Sequence, residues 1–287
     1  MKNLKYINAN GEELLFTNTA PFLMQSFTQG TKVNNYNSKG VNQDGSTYLG
    51  SNLGENDISI KIGVRGKTVI GYSQCRATLD RVFNPRLGEG WLVYDDGVVE
   101  RKIKCIPEKI PFMKDINHTS GQGVIDLLAN DPLWRDLTEQ RDEIALWIGD
   151  FSFPLQMMAT GIEIGHRSPS LIVNCYNGGD VESGMRIEFR ALATLTNPSL
   201  FNVNTREFMR VKKEMVAGEV ISVSTYFGDK RITDTLNGVE TNIFNNIDED
   251  STFIQLEQGD NLFRYDADTG LDNLEVRIYH YDRYLGC

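Results

Sequence analysis

Histidine and cysteine are scarce in this chain, three and four among 287 residues. That scarcity removes most of the usual catalytic and metal chemistry. His118, His166 and His280 lie far apart, and none sits in a signature pairing a base with a nucleophile. The neighbours of His118 and His166 read as loop and turn, and His280 shares a strand face with Val276 and Ile278. Cys75, Cys105, Cys175 and Cys287 form no Cys-x-x-Cys pair and have no histidine at zinc spacing. A disulfide framework is not expected in a chain this long with so few thiols. Strand parity makes Cys105 a small buried apolar residue, while Cys287 is expected to be mobile. Long apolar runs are missing too: nothing approaches the roughly 20 residues that cross a bilayer. Met1–Asn10 has basic residues without an apolar core behind them, so no secretory signal is expected. No catalytic, cofactor-binding or metal-ligating residue is assigned.

What charge there is lies unevenly. Residues 1–138 hold 16 Lys and Arg against 15 Asp and Glu, whereas residues 139–287 hold 13 against 24. Nearly all of the net charge of −10 belongs to the second half. An acidic surface repels phosphate backbones, which argues against nucleic-acid recognition there. The plain alternative is that the acidity keeps that half soluble.

Three local patterns approach known chemistry and stop short. Gly63-Val64-Arg65-Gly66-Lys67-Thr68 ends like a phosphate loop, but the required earlier glycine would have to stand at Lys61. The following Val69-Ile70-Gly71 reads as strand and turn. Asp266-Ala267-Asp268-Thr269-Gly270-Leu271-Asp272 alternates carboxylates as a calcium loop does, yet its glycine comes one position early and no bidentate glutamate follows. A turn between strands is the cheaper reading. Acidic residues are plentiful enough for a glycosidase pair, but that abundance makes any pair a weak signal. Sugar stacking is the stronger competitor. No tryptophan follows Phe151, so Tyr176, Tyr226, Tyr279, Tyr281 and Tyr284 would have to supply the rings.

Period-two alternation dominates the rest. Ile58, Ile60, Ile62 and Val64 share one face; so do Ile187 and Phe189, then Ile221, Val223 and Thr225, then Leu274, Val276 and Ile278. Turn signals separate these runs at Asp96-Gly97, Asn177-Gly178, Asn237-Gly238 and Gly259-Asp260-Asn261. The fold class is mainly β, in sandwiches or barrels. One helix is predicted from Tyr72, Cys75, Leu79, Val82 and Phe83, stopped by Asn84-Pro85, with Ser73 as a possible cap. A weaker helical patch over residues 137–148 rests on Leu137, Ile144 and Ile148. Residues 28–56 are rich in Asn, Gly and Ser and read either as a disordered loop or as an arm ordered by another chain.

Several short motifs recur in a telling order. Asn84-Pro85 is followed by Gly88-Glu89-Gly90-Trp91-Leu92-Val93-Tyr94 and then Asn130-Asp131-Pro132-Leu133-Trp134. The second half carries Asn174-Cys175-Tyr176-Asn177-Gly178-Gly179-Asp180, Thr196-Asn197-Pro198 and Leu256-Glu257-Gln258-Gly259-Asp260-Asn261. From about Leu4 to Gly286, this series resembles the distal tail protein family of long-tailed, non-contractile phages and prophages. The resemblance implies a tail-tube-like β-barrel or sandwich domain with one helix (1–138), a connector (139–150) and a galectin-like β-sandwich (151–287). It implies no enzyme and no cofactor, but a virion structural protein at the tail tip or baseplate, assembled in bacterial cytoplasm. The expected assembly is a homo-hexamer that joins the tail tube and the tape-measure protein end to the tail-associated fibre or lysin protein and host-adsorption apparatus, with receptor-binding protein a further expected partner. Membrane insertion and direct nucleic-acid recognition are not expected. The alternative function is a carbohydrate-binding module for host cell-wall polysaccharide.

Overall fold

The computed structural model describes residues 2–144, 147–149, 165–167 and 172–287. Two compact units divide the chain, Met1–Leu137 with Tyr284–Cys287, and Thr138–Arg283. Ile148, His166 and the turn expected around His166 fall where only backbone is described; that backbone is a short antiparallel pair, Trp147–Gly149 with Gly165–Arg167. His166 therefore stands in a strand and not a turn.

Besides the short strand Arg283–Tyr284, which joins its sheet as the tenth, beside Trp134–Asp136, the first unit has a helix and nine strands from its N-terminal stretch. They are β1 (Asn3–Ile7), β2 (Glu13–Phe16), β3 (Phe22–Ser38), β4 (Thr47–Arg65), α1 (Val69–Val82), β5 (Gly90–Asp95), β6 (Glu100–Pro107), β7 (Phe112–Asn117), β8 (Ser120–Ala129) and β9 (Trp134–Asp136). The sheet runs β2-β1-β5-β6-β8-β4-β3, with β7 beside β8 and β9 beside β6. Its two ends meet, since Thr17 N–H donates to Phe22 O at 3.2 Å and Met24 N–H to Thr17 O at 2.8 Å. Ile58, Ile60, Ile62 and Val64 point inward with Leu4, Tyr6, Phe16, Ile103 and Ile125. Burying each such side chain contributes about 1.5–3 kcal/mol, which makes this shared face the main stabilising term.

Helix α1 starts earlier than its apolar spacing predicts. Thr68, not Ser73, is the cap, its hydroxyl accepting from Gly71 N–H at 3.0 Å. Val69-Ile70-Gly71 is thus the first helical turn, because a well-placed cap outweighs the poor helix propensity of two β-branched residues and a glycine. Tyr72, Leu79 and Val82 face the core, and Phe83 stacks on Tyr6 with ring centroids 4.5 Å apart. Asn84-Pro85 ends the helix as expected, and Asn84 Oδ1 caps the single 3₁₀ turn that follows.

Residues 28–56 are not a disordered loop. They are the long hairpin of β3 and β4, 17 and 19 residues, whose register continues to Ser38–Thr47. The pattern hid it because both faces of its outer half meet water, so no apolar alternation marks the strands. Cys287 is not a mobile end either. It packs on the first core and its Sγ accepts from Gln29 Nε2 at 3.5 Å.

The second unit is a β-sandwich. Its strands are β10 (Gln140–Ile144), the pair β11 (Trp147–Gly149) and β12 (Gly165–Arg167), β13 (Ile172–Asn177), β14 (Met185–Ala191), β15 (Leu195–Thr196), β16 (Ser199–Asn202), β17 (Phe208–Arg210), β18 (Glu214–Met215), β19 (Val220–Ser224), β20 (Arg231–Leu236), β21 (Val239–Asn242), β22 (Gly259–Asp266) and β23 (Leu274–His280). One sheet runs β10-β23-β14-β19-β20-β21 and the other β13-β22-β16-β17. Ile187, Phe189, Ile221, Val223 and Val276 from the first meet Cys175, Leu200, Met209, Phe263 and Tyr265 from the second in one core. The helix expected over residues 137–148 does not form where the chain is described: Gln140–Ile144 is a strand paired with β23. The edge of a buried sheet holds Ile144 more firmly than three spaced apolar residues hold a helix. Of the turn signals, Asn237-Gly238 makes the β20–β21 hairpin with φ of 52° and 78°. Gly259-Asp260-Asn261 instead opens β22, with only Gly259 in the left-handed region.

Candidate functional site

The short motifs turn out to hold backbone in place. In the second unit, Asn177 is buried; its Oδ1 accepts from Gly179 N–H at 2.9 Å while its amide donates to Val181 O and Leu256 O. A Cβ on Gly179 would stand 2.5 Å from Arg283 O, so only glycine lets the chain pass. Asn261 does the same for its own segment, accepting from Glu257 N–H and donating to the carbonyls of Glu257 and Gly259. Asn197, at φ 53°, reaches Asp268 Oδ2 at 2.7 Å. In the first unit, Trp134 is buried against Phe27 and Tyr94, and its indole N–H donates to Gln29 Oε1 at 2.7 Å. Pro132 O accepts from Asn56 Nδ2 at 3.3 Å, and Asn56 Oδ1 in turn takes Gly30 N–H at 3.2 Å. Asn-Asp-Pro-Leu-Trp is therefore a clamp on the root of the long hairpin, a role its sequence alone did not disclose.

The titratable groups are dispersed or structural. His118 is exposed in the turn after β7. His280 is fully buried, with Nε2 3.2 Å from Asp142 Oδ2 and Nδ1 3.5 Å from Asp282 Oδ1. Asp282 Oδ2 also accepts from Gln140 Nε2 and Gly178 N–H, so the group ties β10 to the end of β23. Burial, with Asp142 alongside, raises the Cys175 thiol well above its ordinary range. Burial likewise pushes Cys105 up to about 12. Lys213 bonds both Glu219 and Asp234. Burial raises the Asp234 carboxyl, whereas at Glu219 burial is outweighed by Lys213 and Val216 N–H and the carboxyl is lowered. Around residues 266–272, Asp268 is taken by Asn197 and Arg210, and Asp266 Oδ1 by Ala267 N–H. Among the described residues no cluster of three or more His, Cys, Asp or Glu side chains is arranged for a metal ion. Of the tyrosines named for stacking, Tyr176 is 61% exposed, while Arg186 lies 4.0 Å over Tyr279 and Arg101 3.5 Å over Tyr284.

Two surfaces of the first unit stand apart. An open cleft of about 840 Å³ lies between α1 and β7, lined by Tyr72, Arg76, Asp80, Asp115, Ile116 and His118, among others. Tyr72 OH donates to Asp115 Oδ1 at 2.5 Å, and Arg76 reaches the same carboxylate at 3.3 Å. Burial, then the Asp115 contact, raises the Tyr72 phenol. Gly121 and Gly123 of β8 open the notch that seats this arrangement, since a Cβ on them would meet Tyr72 OH at 2.2 Å and Met113 Sδ at 2.3 Å. The second surface is the outer half of the β3–β4 hairpin. Residues 33–38 and 45–54 contain no charged residue and no proline, and Tyr48 and Leu49 are 61% and 67% exposed.

Among the described residues, this geometry offers surfaces and strand edges suited to recognition. A profile described as phage tail protein RIFT-related domain matches residues 9–129, and one described as siphovirus-type tail component, C-terminal domain, matches residues 178–284. The two place the chain among the structural proteins of phage tails. It belongs to the siphophage distal tail protein family. A crystal structure of SPP1 Dit, titled a paradigm of the hub adsorption apparatus in phages infecting Gram-positive bacteria, is similar over 98% of this chain and 99% of that one, at 14% identity and a TM-score of 0.70. A chain of the phage P2 baseplate, in its activated conformation with Ca, matches over 100% of both chains at 12% identity and 0.57. The same baseplate with Sr gives 98% of both, 12% and 0.56. No curated protein sequence matches.

Proposed function

We propose that six copies of this chain close into a ring at the phage tail tip, a hub joining the tail tube and tape-measure end to the adsorption apparatus. The first unit forms the ring and the acidic second unit lies outside it. The observation that carries this reading is the pair of outer hairpin stretches, residues 33–38 and 45–54, which carry no charge between Lys32 and Glu55 at the base and Lys39 and Asp44 at the tip. A two-stranded ribbon is marginal in water on its own, and native edges are normally blunted by charge, proline or brevity. Those two stretches have none of these guards, which suits an edge that a neighbouring copy completes. Family membership supports the tail location, and the SPP1 and P2 likenesses support a hub or baseplate role. A ring also requires a heterologous contact whose rotation closes, and the first unit's near-neutral charge permits close packing of like chains.

Light scattering and negative-stain imaging of the purified full chain test it. Rings of about six protomers at micromolar concentration are expected, and a stable monomer without rings overturns the reading. A second reading, glycan binding by the outer face of β13 and β22, rests on exposed Tyr176 beside Asp260. Saturable binding to cell-wall polysaccharide that Tyr176→Ala abolishes would establish it, and unchanged binding would remove it.

A further inference from the structure

We propose that Lys213 and Asp234 close an intramolecular amide cross-link, with Glu219 as the proton carrier. The bond lies within the second unit and needs no ring. Lys213 Nζ bonds a carboxylate oxygen of each acid, so the amine and its electrophile are already in contact. Asp234 and Glu219 are buried, 6% and 2% exposed, and the Lys213 side chain is 24% exposed. Val211 and Met215 flank the lysine in the core, and Ile221 stands opposite Asp234. Backbone fixes each partner. Lys213 O accepts from Asn197 N–H at 2.9 Å, and Val216 N–H donates to Glu219 Oε2 at 2.8 Å. Asp234 lies in β20 between Ile221 of β19 and Thr241 of β21. Reactants held in place this way meet as if at very high concentration.

An ion pair is the plain reading, but it leaves a charge over. One cation meets two buried carboxylates, and Asp234 Oδ1 is buried without a hydrogen-bond partner among the described residues. Amide formation turns three buried charges into one. Until the bond closes, the triad is ionic; stability comparisons that read the charge of Lys213 take that open state as their reference. Burial lowers Lys213, but its two carboxylates outweigh burial and hold the ammonium proton. The amine is therefore released by passing that proton within the triad. Asp234 takes it, since burial raises its carboxyl, whereas at Glu219 burial is outweighed by Lys213 and Val216 N–H. The neutral amine attacks Asp234 Cγ and the Nζ–Cγ bond forms. Glu219 takes one proton from the nitrogen and hands it to the departing hydroxyl; the Cγ–O bond breaks and water leaves. Nothing is oxidised or reduced, and no co-reactant is required. The amide N–H that remains is a donor for the Glu219 carboxylate. The product ties the segment after β17, in one sheet of the sandwich, to β20 in the other. A load that parts the sheets there has to break a covalent bond.

Intact-mass spectrometry of the purified full chain tests it. The wild-type chain, 32.4 kDa, is expected about 18 Da (one water) below the mass its sequence gives from the same N-terminus. Trypsin should then leave a branched peptide that joins residues 213–230 to residues 232–264, uncut after Lys213. Lys213→Arg keeps the cation but has no primary amine, and Glu219→Gln keeps both ends but lacks the carrier. Both are expected at full sequence mass, with circular dichroism reporting that they fold. The branched peptide is read on the wild type alone, so the test survives a variant that misfolds. A wild-type chain at full sequence mass overturns the cross-link. The same deficit persisting in Lys213→Arg also overturns it, because the water then comes from elsewhere in the chain.

Discussion

Single residues in this protein act mostly on backbone. Asn177 holds one N–H and two carbonyls in a buried turn, so Asn177→Ala takes the side-chain partner from Gly179 N–H and Val181 O, while Leu256 O keeps Ser183 N–H at 2.9 Å. A loss of about 2–3 kcal/mol is expected in urea unfolding of the second unit, and a change below about 0.5 kcal/mol would refute the assignment. Among the described residues, Lys213 is the cation that bonds both Glu219 and Asp234. Lys213→Met strands two carboxylates in a partly buried site, costing about 3 kcal/mol at neutral pH. Both carboxyls would then hold folded-state pKa values above their unfolded ones. Their penalty is full above those values and fades as pH falls through them, so the deficit should shrink toward pH about 4. Equal losses at both pH values would show that packing, not charge, is what lysine supplies.

At the scale of elements, the long hairpin is the feature that sequence reading left open and the structure defines. The inner half was legible because Ile58, Ile60, Ile62 and Val64 alternate against a core. The outer half was not, because a ribbon wetted on both faces has no periodicity to detect. Helix α1 was legible from its apolar stripe, but its start was hidden by a threonine cap lying before a β-rich tripeptide. The strand at Gln140–Ile144 was missed for the opposite reason: sheet pairing, which is not local, decides it. The hairpin's footing can be weakened from a distance. Trp134→Phe keeps the ring packing on Phe27 and Tyr94 but removes the N–H that binds Gln29. Cleavage by a nonspecific protease between residues 31 and 55 should accelerate severalfold while the core strands stay protected. Unchanged cleavage would mean the clamp does not hold the arm.

For the whole molecule, the division of charge is the property with the widest reach. The half from residue 139 onward carries 24 acidic against 13 basic residues and the other half is nearly balanced. In the proposed ring, bringing six acidic units around one axis would cost repulsion that falls as the screening length shortens. Raising salt from about 20 mM to about 200 mM, which cuts that length roughly threefold, should therefore strengthen self-association. A ring that dissociates on added salt would instead mark the subunit contact as ionic. The two-part architecture and mainly β class could be read from the chain because alternating strands, turn residues and charge all report locally. The outer hairpin could not, since its composition does not differ from that of an ordinary loop until its strand pairing is seen.

The bare ribbon of β3 and β4 has a consequence for the infected cell. Along residues 33–38 and 45–54 the backbone edge has neither charge nor proline, and such an edge pairs with any extended strand that meets it, including another copy in the wrong register. Surplus chains waiting for partners are thus the hazardous population, and crowding them raises the hazard faster than in proportion. Under the proposed function, production of this protein would have to be matched to its consumption by growing particles, so overexpression alone should yield insoluble strand-rich deposits unless ring closure outruns mispairing.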